Sequence, residues 1–97
     1  MEPKVASSLL TVLHRNLRRA LDRRELQDAG DILANLQAHE PLSLQTRGFA
    51  LELALAQGRL ADASSAGSGL LTQFPNSARI RYLVGRVAYA QRDYREA

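Results

Sequence analysis

Hydrophobic residues recur along this chain at the spacing of one helix face. Leu10, Leu13 and Leu17 follow one another at steps of three and four residues, and Leu51 and Leu55 continue the pattern further on. The pattern predicts helices over about residues 8–23, 26–38, 43–57, 60–73 and 77–91, and another from about residue 94 onward. Leucine and alanine dominate the composition, and both enter helices at little cost in free energy. We therefore predict an all-α fold of paired helices.

Turn-forming and capping residues separate the predicted helices. Gly58 follows one helix at a position where a residue in the left-handed backbone conformation commonly ends it. Pro41 and Pro75 stand where a helix must stop. Ser43 and Ser77 follow them where a hydroxyl can cap the next helix. These signals place the helix boundaries independently of the hydrophobic pattern.

The chain repeats itself with a period of 34 residues and no insertion. The matched positions are Ala20, Ala54 and Ala88; Ala29, Ala63 and Ala97; Leu17, Leu51 and Gly85; Leu26, Leu60 and Tyr94; and Pro41 with Pro75. The predicted organisation is a lead-in of residues 1–9, repeat 1 at 10–43, repeat 2 at 44–77, and a truncated repeat 3 at 78–97. Asp93 and Glu96 have capping-box spacing, which predicts that the second helix of repeat 3 begins there.

A helix–turn–helix period of 34 residues resembles the tetratricopeptide repeat. Residues 82–97 carry the most specific resemblance, through Tyr82 to Gly85, Ala88-Tyr89 and Gln91 to Ala97. The middle period matches at fewer positions and the first period is the most divergent. The resemblance covers residues 10–97, nearly the whole chain, and implies a right-handed α-solenoid that serves as a scaffold for other proteins. It implies no particular pathway, because this family serves many unrelated ones.

Small residues at matched positions are expected to let the helices approach closely, with larger neighbours filling the gaps. The predicted repeat-packing residues are Ala20, Ala29, Pro41, Ala54, Ala63, Pro75, Gly85, Ala88, Tyr94 and Ala97. Residues 61–69 depart from this pattern, because alanine, serine and glycine alone surround Asp62. Two interpretations remain: a weak helix crowded by a neighbouring helix, or a smooth surface for self-association.

The resemblance also implies a partner-binding groove lined by the first helices of the repeats. The residues at groove positions are His14, Arg15, Arg18, Phe49, Glu52, Arg79, Tyr82, Arg86 and Tyr89. Arginine and tyrosine often dominate interface energies, so the implied partner is a protein or peptide that is acidic or has a free C-terminal carboxylate. The alternative is that Tyr82 or Tyr89 packs inside the repeats and the arginines only keep the chain in solution.

One subgroup of the family grips two carboxylates with a clamp of basic residues. The matching positions hold His14, Arg18, Phe49, Arg79 and Leu83. Since only Arg79 is of the expected type, we do not expect this clamp, or a role beside chaperones.

Charge argues against nucleic acid as the partner. The net charge is +3, with twelve arginines against one lysine, and the excess lies in residues 78–97. Acidic residues interleave with the arginines, which disfavours a phosphate-binding surface. The arginine-rich composition suggests a bacterial source.

No pattern in the sequence predicts catalysis, a cofactor or a metal site. Cysteine is absent, and His14 and His39 are isolated from any cluster with metal-ligand spacing. No apolar stretch reaches the roughly 20 residues that span a bilayer. The start of the sequence does not resemble a signal peptide. We expect no enzyme and no membrane protein, and the cytoplasm is the default location, with the periplasm still open.

Self-association is the second functional hypothesis. Ala97 lies only a few residues into the predicted last helix, so the first helix of repeat 3 would lack its usual cover. We expect the truncated form to pair with further copies. A structural module that builds a homo-oligomer without a foreign ligand is therefore the alternative to a peptide-binding adaptor.

Overall fold

The structure, a computed structural model, describes the backbone of residues 3–96 and the side chains of residues 8–92. The helices are α1 (Pro3–Asp22), α2 (Leu26–His39), α3 (Leu44–Ala56), α4 (Leu60–Gln73) and α5 (Ala78–Glu96). The described residues contain no strand, which confirms the all-α prediction. They form two compact units, Met1–Phe49 (unit 1) and Ala50–Ala97 (unit 2).

Unit 1 is built on the packing of α1 against α2. Its buried residues include Leu13, Leu17, Ala20, Leu21, Ala29, Leu33, Leu36, Thr46 and Phe49. Ala29 is completely buried, as expected for a small residue where two helices meet. The helix α1 begins at Pro3, earlier than predicted, because proline is well tolerated in the first helical turn.

Unit 2 is built on the packing of α4 against α5. Its buried residues include Leu51, Leu53, Ala54, Ala63, Leu70, Ile80, Leu83 and Val87. Residues 61–69 are helical, and a Cβ at Gly67 would lie 3.0 Å from Val84 Cγ2. The interpretation of this segment as a crowded helix is therefore confirmed at Gly67, whereas no atom lies within 4 Å of a Cβ at Gly69.

The turns after α1 and α3 have the same backbone geometry, 34 residues apart. Arg24 and Gly58 both adopt the left-handed conformation, with φ of 58° and 77°. The N–H of the next residue donates a 2.9 Å bond five residues back, from Glu25 to Ala20 and from Arg59 to the carbonyl of residue 54. This is the Schellman motif that ends many helices. The predicted cap at Gly58 is confirmed.

The serines that follow the two prolines cap the next helices, as predicted. Ser43 Oγ accepts a 3.1 Å hydrogen bond from the backbone N–H of Thr46. Ser77 Oγ accepts a 3.3 Å hydrogen bond from the backbone N–H of Ile80. Each hydroxyl satisfies an amide that has no partner within its helix.

The end of α5 differs from the prediction. The helix continues through Glu96, so the turn expected near residue 92 is absent and the predicted capping box of Asp93 and Glu96 is wrong. The position equivalent to the left-handed Arg24 and Gly58 is Arg92, and α5 runs through it without a turn.

Several residues predicted to pack between helices are exposed instead. Gly85 is exposed and no atom lies within 4 Å of a Cβ built there, so the prediction of a close helix contact is wrong at this position. Ala88 is also exposed, and Pro41 and Pro75 lie exposed in turns. Since α5 does not turn back, no following helix within residues 3–96 covers Gly85 or Ala88. The side chains of Tyr94 and Ala97 lie outside the described residues.

Candidate functional site

Unit 1 brings three of the predicted groove residues together around a buried aromatic ring. Phe49 is only 7% exposed. The His14 ring meets it edge-on, with centroids 5.7 Å apart and an interplanar angle of 70°. The Arg18 guanidinium carbon lies 5.5 Å from the Phe49 ring centroid, within the range of a cation–π contact. Phe49 is therefore a core residue covered by α1, and it offers little surface to a partner.

The polar ends of the two α1 residues are also engaged within unit 1. His14 Nε2 lies 3.3 Å from Glu40 Oε1, and Arg18 Nη1 donates to Asp22 Oδ1 at 3.3 Å. Both side chains are half-buried, whereas Arg15 is exposed. This part of the predicted groove is consequently occupied by contacts within the chain.

Unit 2 presents the most open set of predicted residues, on one side of α5. Arg79, Tyr82, Arg86 and Tyr89 follow each other at steps of three, four and three residues, so they form one row along the helix. Tyr82 is 65% exposed and Tyr89 is 67% exposed. The alternative that either tyrosine packs inside the repeats is therefore wrong. We refer to these four residues as the Arg–Tyr stripe.

Neighbouring contacts hold the stripe in place. Arg79 Nη2 donates a 2.9 Å hydrogen bond to Glu52 Oε1, whose side chain is only 13% exposed. The Arg86 guanidinium carbon lies 5.8 Å from the Tyr82 ring centroid. These contacts restrict the arginine and tyrosine rotamers before any partner arrives, which lowers the entropy lost on binding. Glu52, the fifth predicted residue in unit 2, thus acts as an anchor for Arg79.

A groove between α1 and α2 was not predicted from the sequence. It is a groove of about 350 Å³ that is widely open to solvent, and it is lined by Asn16, Arg19, Ala20, Glu25, Asp28, Asp31 and Ile32. Three of these residues carry carboxylates, against one guanidinium. The sequence contains one signal for it, because repeat 1 has Glu25 where repeat 2 has Arg59. We refer to this feature as the α1–α2 groove.

A smaller cleft lies between α4 and α5. It encloses about 70 Å³ and is lined by Ala63, Ser64, Gly67, Ser68, Val84, Val87, Ala88 and Gln91. The Gln91 amide donates to the Leu60 carbonyl at 3.5 Å across one end. This cleft is much smaller than the α1–α2 groove.

Among the described residues, no group of three or more histidine, cysteine, aspartate or glutamate residues is arranged to hold a metal ion. No helix in the described part of the chain has both the length and the apolar character needed to cross a membrane.

Comparison of the chain with models of protein families, with curated proteins and with solved structures gave no match. The tetratricopeptide resemblance therefore rests on the residues quoted above and on the 34-residue period, and it remains a prediction.

Proposed function

We propose that this chain is a protein-interaction scaffold, and that the Arg–Tyr stripe binds an acidic segment of a partner protein. The observation that carries the proposal is the exposure of Tyr82 and Tyr89, 65% and 67%, on the same side of one helix as Arg86. Tyrosine and arginine are enriched among the residues that dominate binding energy at interfaces. Two large aromatic side chains left in water are better explained by a partner than by folding.

The Arg–Tyr stripe offers hydrogen-bond donors that suit carboxylates. The planar guanidinium of Arg86 can donate two parallel hydrogen bonds to one carboxylate. The hydroxyls of Tyr82 and Tyr89 can donate further bonds, while their rings contact apolar parts of the partner. A segment that carries aspartate, glutamate or a free C-terminal carboxylate beside apolar residues fits this arrangement.

The tetratricopeptide resemblance supports the same proposal. It implies a right-handed solenoid whose first helices carry the partner, and α5 is the first helix of repeat 3 in the 34-residue period. The proposal includes no catalytic activity, cofactor or nucleic acid. The cytoplasm is its default location in this proposal, with the periplasm still open.

Peptide selection tests the proposal. A phage-displayed library of short random peptides is selected on the wild-type chain, and the enriched peptides are then titrated against the wild type and the Tyr82→Ser/Tyr89→Ser variant. Both tyrosines are exposed, so the variant should fold normally, and circular dichroism verifies this. The expected result is enrichment of aspartate- and glutamate-containing peptides that bind the wild type at least about tenfold more tightly than the variant.

Arg81→Gln is the matched control, because Arg81 is an exposed residue of α5 outside the stripe. It should bind the selected peptides as the wild type does. Peptides with aspartate and glutamate replaced by asparagine and glutamine should bind more weakly. Equal binding by the double variant, or by the neutral peptides, would contradict the proposal, as would tighter binding of a single-stranded oligonucleotide with a steep salt dependence.

A further inference from the structure

We propose that the acidic partner of the Arg–Tyr stripe is the α1–α2 groove of a second copy of this chain. The inference rests on the proposed function, because it assigns an occupant to the same stripe. It is carried by charge complementarity between two surfaces that lie on different units of the chain. The stripe belongs to unit 2 and the groove to unit 1.

The carboxylates of the groove are exposed and unpaired. Glu25, Asp28 and Asp31 all lie at the surface. No cationic side chain among residues 8–92 forms an ion pair with any of the three. The groove therefore carries a net negative charge, from three carboxylates against the one guanidinium of Arg19.

The fold does not require these carboxylates. At the equivalent place in repeat 2, Arg59 Nη2 pairs with Asp62 Oδ2 at 2.9 Å. Repeat 1 replaces that arginine with Glu25, which sets two like charges three residues apart beside Asp28. The position of Asp31 corresponds to Ser65. Although the dipole of α2 favours an acid in its first turn, it accounts for Asp28 and not for Asp31.

The two surfaces have similar lengths. Glu25 and Asp31 are six residues apart, or about 9 Å along a helix, and Arg79 and Arg86 are seven residues apart, or about 10.5 Å. Arg79 already contacts Glu52, so Arg86 is the stripe's main contribution of positive charge. The stripe tyrosines can donate to the same carboxylates while their rings contact the apolar side chain of Ile32, which also lines the groove.

Such an interface joins unlike surfaces, and each copy carries one of each. Head-to-tail contacts of this kind propagate from copy to copy, into a ring or an open filament, and do not stop at a two-fold dimer. The interface should weaken as salt concentration rises, because exposed charges are screened beyond a Debye length.

Complementation between two charge-reversed variants tests the proposal. The groove variant is Asp28→Arg/Asp31→Arg, and the stripe variant is Arg86→Glu/Tyr89→Ser. Sedimentation velocity over a concentration series should show assembly of the wild-type chain up to about 1 mM, and monomers for each variant alone, with dissociation constants raised at least about tenfold. An equimolar mixture of the two variants should assemble again, because the intact stripe of one variant meets the intact groove of the other.

Arg81→Glu and Gln37→Arg are the controls, because they place charge changes on exposed positions of α5 and α2 outside the two surfaces. Both should assemble as the wild type does. A wild type that stays monomeric, or variants that assemble like it, would overturn the proposal, as would a mixture that stays monomeric. If the selected acidic peptides still bind the stripe in that case, only the self-association proposal has failed; if they do not, the proposed function has failed as well.

Discussion

Gly67 of α4 and Val84 of α5 approach each other so closely that a Cβ atom at Gly67 would lie 3.0 Å from Val84 Cγ2. Leu51 lies on the same side, with both of its terminal methyl carbons 3.8 Å from that position. Valine in a helix has essentially one side-chain rotamer, so Val84 cannot turn aside easily. The glycine is therefore needed by the packing of unit 2, although it weakens α4 as a helix.

Alanine substitution should distinguish this glycine from its neighbour. Gly69→Ala is expected to stabilise the chain by about 0.5–1 kcal/mol, because it improves helix propensity where no atom lies within 4 Å. Gly67→Ala should instead destabilise the chain by about 1 kcal/mol, since the cost of overpacking against Val84 exceeds the gain in helix propensity. Thermal unfolding followed by circular dichroism measures both. In a Val84→Ala background, Gly67→Ala should become neutral or stabilising; equal stabilisation by the two substitutions in the wild type would refute the packing argument.

Substitutions at the two left-handed turn residues, Arg24 and Gly58, should change stability in opposite directions. Arg24 has φ of 58°, a conformation that costs a residue with a side chain about 1–2 kcal/mol. Arg24→Gly should therefore raise the unfolding temperature, and Gly58→Arg should lower it. For a chain of this size, each change of 1 kcal/mol in stability shifts the unfolding temperature by about 4–8 °C. Differential scanning calorimetry checks both directions. Two substitutions that shift the temperature in the same direction would contradict the role of the left-handed conformation.

The serine caps should differ in their contribution to stability. Ser43→Ala and Ser77→Ala each remove the acceptor of a backbone N–H, at an expected cost of about 1 kcal/mol. The cost should be larger for Ser43, because its hydroxyl also donates to Thr46 Oγ1 at 3.3 Å and Thr46 is 1% exposed. Urea denaturation measures the difference. Ser65→Ala, an exposed change within α4, serves as the control and should stabilise slightly.

Two of the predicted groove aromatics should behave in opposite ways. Phe49→Ala should cost about 3–5 kcal/mol of stability, because the ring is buried against His14 and Arg18. Tyr89→Ala should change stability by less than about 0.5 kcal/mol, as expected for an exposed residue, and should weaken peptide binding. Unfolding curves and binding titrations on the same samples separate the two effects. A stable Phe49→Ala variant with impaired peptide binding would show that Phe49 belongs to the partner-binding surface.

The parts of the fold that the sequence predicts well are those set by local interactions. The boundaries of α4 and the caps at Ser43, Ser77 and Gly58 depend on residues within one helical turn of each other. The end of α5 was mispredicted, because the repeat pattern predicts a turn near residue 92 and the helix runs through it to Glu96. The equivalent turn after α1 forms at Arg24 without glycine or proline, so the local composition alone does not decide where these helices end.

The candidate site was predictable only in part, because burial depends on distant segments. The tetratricopeptide resemblance implied that Tyr82 and Tyr89 lie in one partner-binding groove, and the structure adds their exposure. The same pattern could not show that Phe49 is buried beneath α1. It also could not show that Asp28 and Asp31 of α2 form a groove with residues of α1, since that requires the packing of two helices.

The turns between the helices also have a consequence for the rate of folding. The backbone hydrogen bonds described at the ends of the helices join residues at most five positions apart, as between Glu25 and Ala20. Closing such short loops costs little chain entropy. Proteins dominated by local contacts fold within about microseconds to milliseconds. Each unit can therefore bury its leucines soon after synthesis, which shortens the time during which they are exposed to aggregation.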